Sequence, residues 1–132
     1  FKKVRVQNRN QIIKSLKNNL KWNNQFNFIE VPDKILPSYM VLPIMINSNY
    51  EKKKIEFINH IESKGLQTRP IISGNFTKQP SSKLYKLNLK RKKFPGADKV
   101  QKLGFVIGLP SKKIEKSKIS LITETLLSID TL

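Results

Sequence analysis

The chain has 132 residues, no Cys, and a formal net charge of +17 from 26 Lys and Arg against 9 Asp and Glu. That length suits one domain with a modest core, and the lack of Cys excludes a disulfide framework, a thiolate zinc site and a Cys nucleophile. No run approaches the roughly eighteen apolar residues of a membrane helix, and no charged-then-apolar leader opens the chain, so a cytoplasmic protein that does not enter the membrane is expected.

Taken alone, the charge points to nucleic acid or another polyanion. The cations are mostly Lys, however, spread along the chain among many Asn and Ile, which favours a solvated basic surface over a dedicated nucleic-acid face. Phe1 in place of Met suggests a processed chain or a piece of a longer one.

Residues 4–20 place Val4, Ile12, Ile13, Leu16 and Leu20 near helical spacing, which predicts an amphipathic helix with Arg5 and Arg9 toward water. The Asn-rich stretch 22–27 reads as a loop, and 28–31 before Pro32 as a short strand. A nearly continuous apolar run over 39–46 predicts the next strand, with Pro43 arguing for a sheet edge or a bulge. Ser48 and Glu51 have capping-box spacing and predict a helix over about 49–64, buried through Ile55, Phe57, Ile58 and Ile61. His60, the only His, has no visible partner and is read as a surface or packing residue.

The stretch 65–80, GLQTRPIISGNFTKQP, concentrates backbone demands and chemical groups. Gly65 is placed to end the helix in a left-handed conformation. Pro70 pushes Arg69 toward extended geometry and predicts an edge strand with 70–72 as its apolar body. Ser73, Gly74 and Asn75 then read as a tight turn. Residues 81–94 read as a basic loop that includes the run 90–93 (KRKK). Pro95 opens a short helix, Gly104 and Gly108 bound a last strand, and Ile119, Ile122, Leu126 and Ile129 mark a final helix within 114–129.

This pattern resembles the C-terminal region of the DegT/DnrJ/EryC1/StrS family of pyridoxal-phosphate-dependent nucleotide-sugar aminotransferases and dehydrases. The resemblance rests on Thr68, Arg69, Pro70, Gly74, Asn75, Gln79 and Pro80, which follow the family passage T-R-P … G-N-[FL]-x-[RK]-Q-P. Ser38, Tyr39, Leu42, Pro43 and Ile44 match S-[WY]-x-x-[FL]-P-I. Phe94, Pro95, Ala97, Asp98 and Val100 match F-P-x-A-D-x-[VI], and Gly104, Phe105, Ile107 and Gly108 match G-F-x-[IL]-G. The opening VRVQNRN is similar to the family's R-x-x-N-R start. Many relatives carry a His soon after that last Gly, where this chain has Leu109, Pro110 and Ser111.

The order of elements predicts helices on one face of a small mostly antiparallel sheet, an α+β fold, and the resemblance implies the same arrangement, as in the C-terminal domain of fold-type I pyridoxal-phosphate enzymes. Residues 1–132 would form that single small domain, with a leading helix and connection over 1–37 and the α+β core over 38–132. In the family the cofactor, pyridoxal 5'-phosphate, is held by a Lys and an Asp of a large domain, and neither segment is recognisable here. The chain therefore resembles the final third of such an enzyme and by itself is expected to be inactive.

The whole enzyme would be a homodimer that passes an amino group from a donor such as glutamate to a nucleotide-linked keto-sugar, in surface-polysaccharide or lipopolysaccharide sugar synthesis. The dehydrase branch is the alternative. No catalytic or metal residue is assigned. Arg69, with a planar fork suited to carboxylate or phosphate, and Asn75 are the expected substrate contacts, followed by Thr68 and Gln79. Their alternative roles are an ion pair that fixes the strand for Arg69 and a left-handed turn for Asn75. A basic nucleic-acid-binding module using 90–93 is the competing reading; few aromatics and little Arg argue against it.

Overall fold

A computed structural model describes residues 2–32, 34–35, 37–85 and 93–132. The chain begins with helix α1 (Lys2–Lys17), followed by one turn of helix, α2 (Trp22–Gln25), and strand β1 (Phe26–Asn27). Strand β2 (Val41–Ile46), helix α3 (Lys54–Ser63) and strand β3 (Thr68–Arg69) come next. Helix α4 (Pro95–Leu103) runs directly into strand β4 (Gly104–Gly108), and helix α5 (Lys116–Leu127) closes the fold. The four strands form one antiparallel sheet in the order β1-β2-β4-β3.

Alternation along the strands builds the core. Leu42, Ile44 and Ile46 of β2 and Phe105 and Ile107 of β4 point to one face, where they meet Ile12 and Leu16 of α1, Phe57 and Ile61 of α3, and Leu126 of α5. Registers of Leu42 with Ile107 and Ile44 with Phe105 keep these side chains abreast, as the period of two requires. The expected α+β arrangement is present, with helices against this face. On the other face Pro43, Val106 and Arg69 lie side by side.

Several local expectations are corrected. The loop expected over 22–27 contains α2 and β1, and the strand expected over 28–31 is absent. The helical turn rephases the chain so that Phe26 enters the core and Phe28 stacks on Trp22 with ring centroids 6.1 Å apart. Ser48 and Glu51 form no capping box: a 3-10 turn (Ser48–Lys53) follows Asn47, and Glu51 pairs with Lys102 at 3.2 Å. Rephased by that turn, α3 turns Phe57 and Ile61 inward and leaves Ile55 exposed.

Pro43 sits in an interior strand, yet β1 pairs only Ile46 and Met45, so β2 is an edge where Pro43 lacks its donor. Strand β3 is at the sheet edge as expected but ends at Arg69 rather than continuing over 70–72. Ile71 instead folds over Gly104, where any Cβ would stand 2.6 Å from both the Ile71 Cδ1 atom and the Val100 carbonyl oxygen. Arg5 and Arg9 do not simply face water. The Arg5 Nε donates to the Leu109 carbonyl at 3.2 Å, and the Arg9 guanidinium lies 4.4 Å from the Tyr39 ring centroid.

Candidate functional site

The site grows from the turn that follows β3. Gly65, at a φ of 87°, ends α3 and turns the chain into the short edge strand. After Pro70 the chain reverses through Ser73 and Gly74, both left-handed at φ 64° and 51°. Asn75, whose alternative role was a left-handed turn, lies at φ −90° and caps the 3-10 turn Phe76–Lys78 by accepting from the Thr77 amide.

Asn75 is fully engaged. It is buried; its Nδ2 donates to Asp98 at 2.7 Å, its Oδ1 accepts from the Thr77 amide at 3.0 Å and hydroxyl at 2.6 Å, and its backbone N–H donates to Gln101 Oε1 at 2.9 Å. Asp98, in the first turn of α4, also receives Lys78 at 2.5 Å. These bonds clamp the turn onto α4 and give Asp98 a structural part that the sequence showed only as a letter of the F-P-x-A-D passage.

The four expected substrate contacts separate. Thr68 is buried on the helix-bearing face, where its hydroxyl and backbone N–H both donate to the Glu62 carboxylate. Gln79 is half-buried and its Nε2 donates to the Ser73 carbonyl at 3.2 Å. Arg69 lies opposite Val106 on the open face, exposed, and its guanidinium reaches only the Thr68 carbonyl at 3.4 Å. Among the described residues no carboxylate pairs with it, so the alternative role as a strand-fixing ion pair is not what the structure displays. Beside it, Pro70, Ile71, Ser73, Gly74 and Gln79 line a cavity of about 160 Å³ against Val100 and Gln101.

The run 90–93 lies outside the described residues except for Lys93, which lines a cavity of about 290 Å³ with Phe94, Lys78 and Asp98. His60 is half-buried near the end of α3. Sequence reasoning missed Asn8, whose fully buried side chain donates to the Pro110 and Lys112 carbonyls at 3.0 and 2.8 Å and accepts from the Ile114 amide at 3.1 Å. The N-R of the opening passage was the available signal. No helix among the described residues is long and apolar enough to cross a membrane.

Two carboxylates titrate low for reasons visible in this geometry. Lys78, and after it Asn75, hold Asp98 below the usual carboxylate range by hydrogen bonding; Tyr50, and after it Gln25, do the same for Asp130 near the C-terminus. Depressed values mean that the unfolded chain takes up these protons first. Their contribution is complete above the unfolded carboxylate value of about 3.9 and is lost as pH falls through the lower folded values. Thermal melts between pH 6 and pH 2 should show the midpoint falling at the acid end, and Asp130→Asn should flatten that fall; an unchanged acid slope in the variant would remove Asp130 from the account.

The sheet, its helical face and the edge-strand turn define a small α+β domain of the kind found in pyridoxal-phosphate-dependent enzymes. In particular, E coli GDP-4-keto-6-deoxy-D-mannose-3-dehydratase with bound hydrated PLP matches 94% of this chain at TM-score 0.73 and 18% identity, over 30% of its own length. Sugar aminotransferase CalS13 from Micromonospora echinospora matches 96% at TM-score 0.73 and 16% identity, over 30% of its own length. Helicobacter pylori PseC, an aminotransferase involved in the biosynthesis of pseudoaminic acid, matches 98% at TM-score 0.76 and 12% identity, over 33% of its own length. The chain thus spans about a third of the solved structures it resembles. No protein-family model and no curated protein matches its sequence.

A pyridoxal-phosphate site needs a Lys and a carboxylate that face the cofactor rather than each other. Here Lys78 and Asp98 are bonded together, and Lys54 donates to the Gln101 carbonyl at 2.9 Å.

Proposed function

We propose that this chain is the C-terminal small domain of a pyridoxal-phosphate-dependent nucleotide-sugar aminotransferase of the DegT/DnrJ/EryC1/StrS family, with the cofactor bound by a large domain outside these residues. The carrying observation is the fold match over nearly the whole chain to sugar-modifying enzymes three times its length, together with the T-R-P … G-N passage on the open sheet edge. In this reading the exposed face with Arg69 turns toward the large domain, and the exposed guanidinium takes an anionic group of the nucleotide-sugar or amino donor. Thr68 and Asn75 hold the strand and turn that present it, and Gln79 steadies the turn at Ser73.

The dehydrase branch is the second reading. It is supported by fold matches to GDP-4-keto-6-deoxymannose-3-dehydratase structures, at TM-scores of 0.73 and 0.69, beside those to the two aminotransferases, at 0.73 and 0.76. A homodimer, a cytoplasmic setting and a place in surface-polysaccharide synthesis belong to the same proposal.

The test uses the full gene product. It should show a cofactor absorbance band and aminate a nucleotide-linked keto-sugar with glutamate as donor, whereas the 132-residue chain should show no such band. Arg69→Ala should raise KM for one of the two substrates about ten- to hundredfold, the loss of a charge-assisted pair, with a smaller change in kcat. Unchanged KM values for both substrates would take Arg69 out of the site, and a full product without bound cofactor would end the enzymatic reading.

A further inference from the structure

A third concavity lies at the opposite side of the sheet from Arg69. Its volume is about 580 Å³, within the range of small-molecule sites, and it opens between the chain after α3, the end of β4 and the faces of α1 and α5. Ile12, Ile107 and Leu109, all buried, form its floor, and Leu66 and Ile122 form its walls. The loop beside it is firmly built, because Asn8 ties Pro110, Lys112 and Ile114 to α1 and Arg5 ties Leu109.

The polar chemistry of the lining is of one sign. Its charged members are Lys64 and Lys118, both exposed, and it contains no Asp or Glu. Among the described residues neither ammonium has an acidic partner. An apolar trough with unpaired cations at its mouth fits a ligand with a long aliphatic body and an anionic head, since burial of methylenes supplies affinity and the lysines select the charge. A neutral oil would leave the lysines unused, and a cationic amphiphile would meet repulsion.

We propose that this cleft binds an aliphatic carboxylate, its acyl chain on Ile12, Ile107 and Leu109 and its carboxylate at the lysine-bearing rim. The site does not depend on the enzymatic role proposed for the Arg69 face, because Thr68 and Ile107 point to the helical side while Arg69 and Val106 point away from it.

The test is titration of the 132-residue chain with dodecanoate below its micelle concentration, followed by calorimetry and by methyl NMR. Saturable one-to-one binding is expected, with shifts at the Ile107, Leu109 and Ile122 methyls. Lys64→Glu combined with Lys118→Glu should weaken binding by at least about tenfold. Lys52→Glu with Lys83→Glu, the same charge change away from the cleft, should change it less than about threefold. Dodecyltrimethylammonium should bind at least about tenfold more weakly than dodecanoate. Equal losses in the two double variants would show general attraction to a basic chain and overturn the site, as would equal binding of the cationic amphiphile. Absence of cleft methyl shifts at about 1 mM dodecanoate overturns it in the unaltered chain, independently of how the variants fold.

Discussion

Phe57→Ala is expected to lower the unfolding free energy by about 4 kcal/mol, a large share of the roughly 5–15 kcal/mol that holds a domain together. Phe57 is fully buried where α3 meets the sheet, with its ring centroid 6.2 Å from Phe26 and 6.0 Å from Phe105, the latter edge to face. Truncation removes the transfer energy of a phenyl ring, leaves a cavity between elements that cannot close up, and cancels both aromatic contacts. Phe57→Leu should recover more than half of the loss, because it refills most of the volume. Denaturant unfolding followed by the fluorescence of Trp22, the only Trp, reads both variants. A loss below about 1.5 kcal/mol for the Ala variant, at an unchanged denaturant slope, would mean that this aromatic row is not the centre of the core.

Asn8→Ala should cost about 3 kcal/mol, the combined effect of three hydrogen bonds and of the buried groups left without partners. One side chain satisfies two carbonyls and one amide of the 110–114 loop from the middle of α1. Asn8→Asp discriminates this account from simple loss of volume. The carboxylate still accepts from Ile114 but turns an oxygen toward the Pro110 and Lys112 carbonyls, so the near-isosteric variant should be at least as destabilised as Ala at neutral pH. Protonation restores one donor, which should narrow the gap to the unaltered chain as pH falls toward 4. An Asp variant as stable as the parent at pH 7 would refute the bonding scheme.

Elements with a clear apolar period were legible in the sequence. The run over 39–46, the strand bounded by Gly104 and Gly108, the Pro-initiated helix before it and the stripe through Ile119 and Leu126 all stand where spacing put them. The left-handed Gly65 was legible for the same local reason, that a helix followed at once by a strand needs a residue without a Cβ. Where local patterns misled, as in the strand expected over 28–31 and the capping box expected at Ser48 and Glu51, packing decided. Asn47 donates across the fold to the Asn23 and Asn24 carbonyls, a partnership with residues over twenty positions away that no local pattern encodes.

The sequence alone determined the α+β class, the edge position of the strand after Gly65 and the placement of Arg69 on it, because these follow from period, proline geometry and glycine conformation within a few residues. Tertiary structure decided which polar groups are free to act. Thr68, Asn75 and Arg69 are near neighbours in the chain with similar claims to a ligand, but sheet register turns Thr68 onto Glu62, the fold of α4 brings Asp98 to Asn75, and Arg69 has no carboxylate partner among the described residues and stands exposed on the open face. Whether a polar group is already satisfied depends on its partner in space, and that partner is fixed only when distant elements pack.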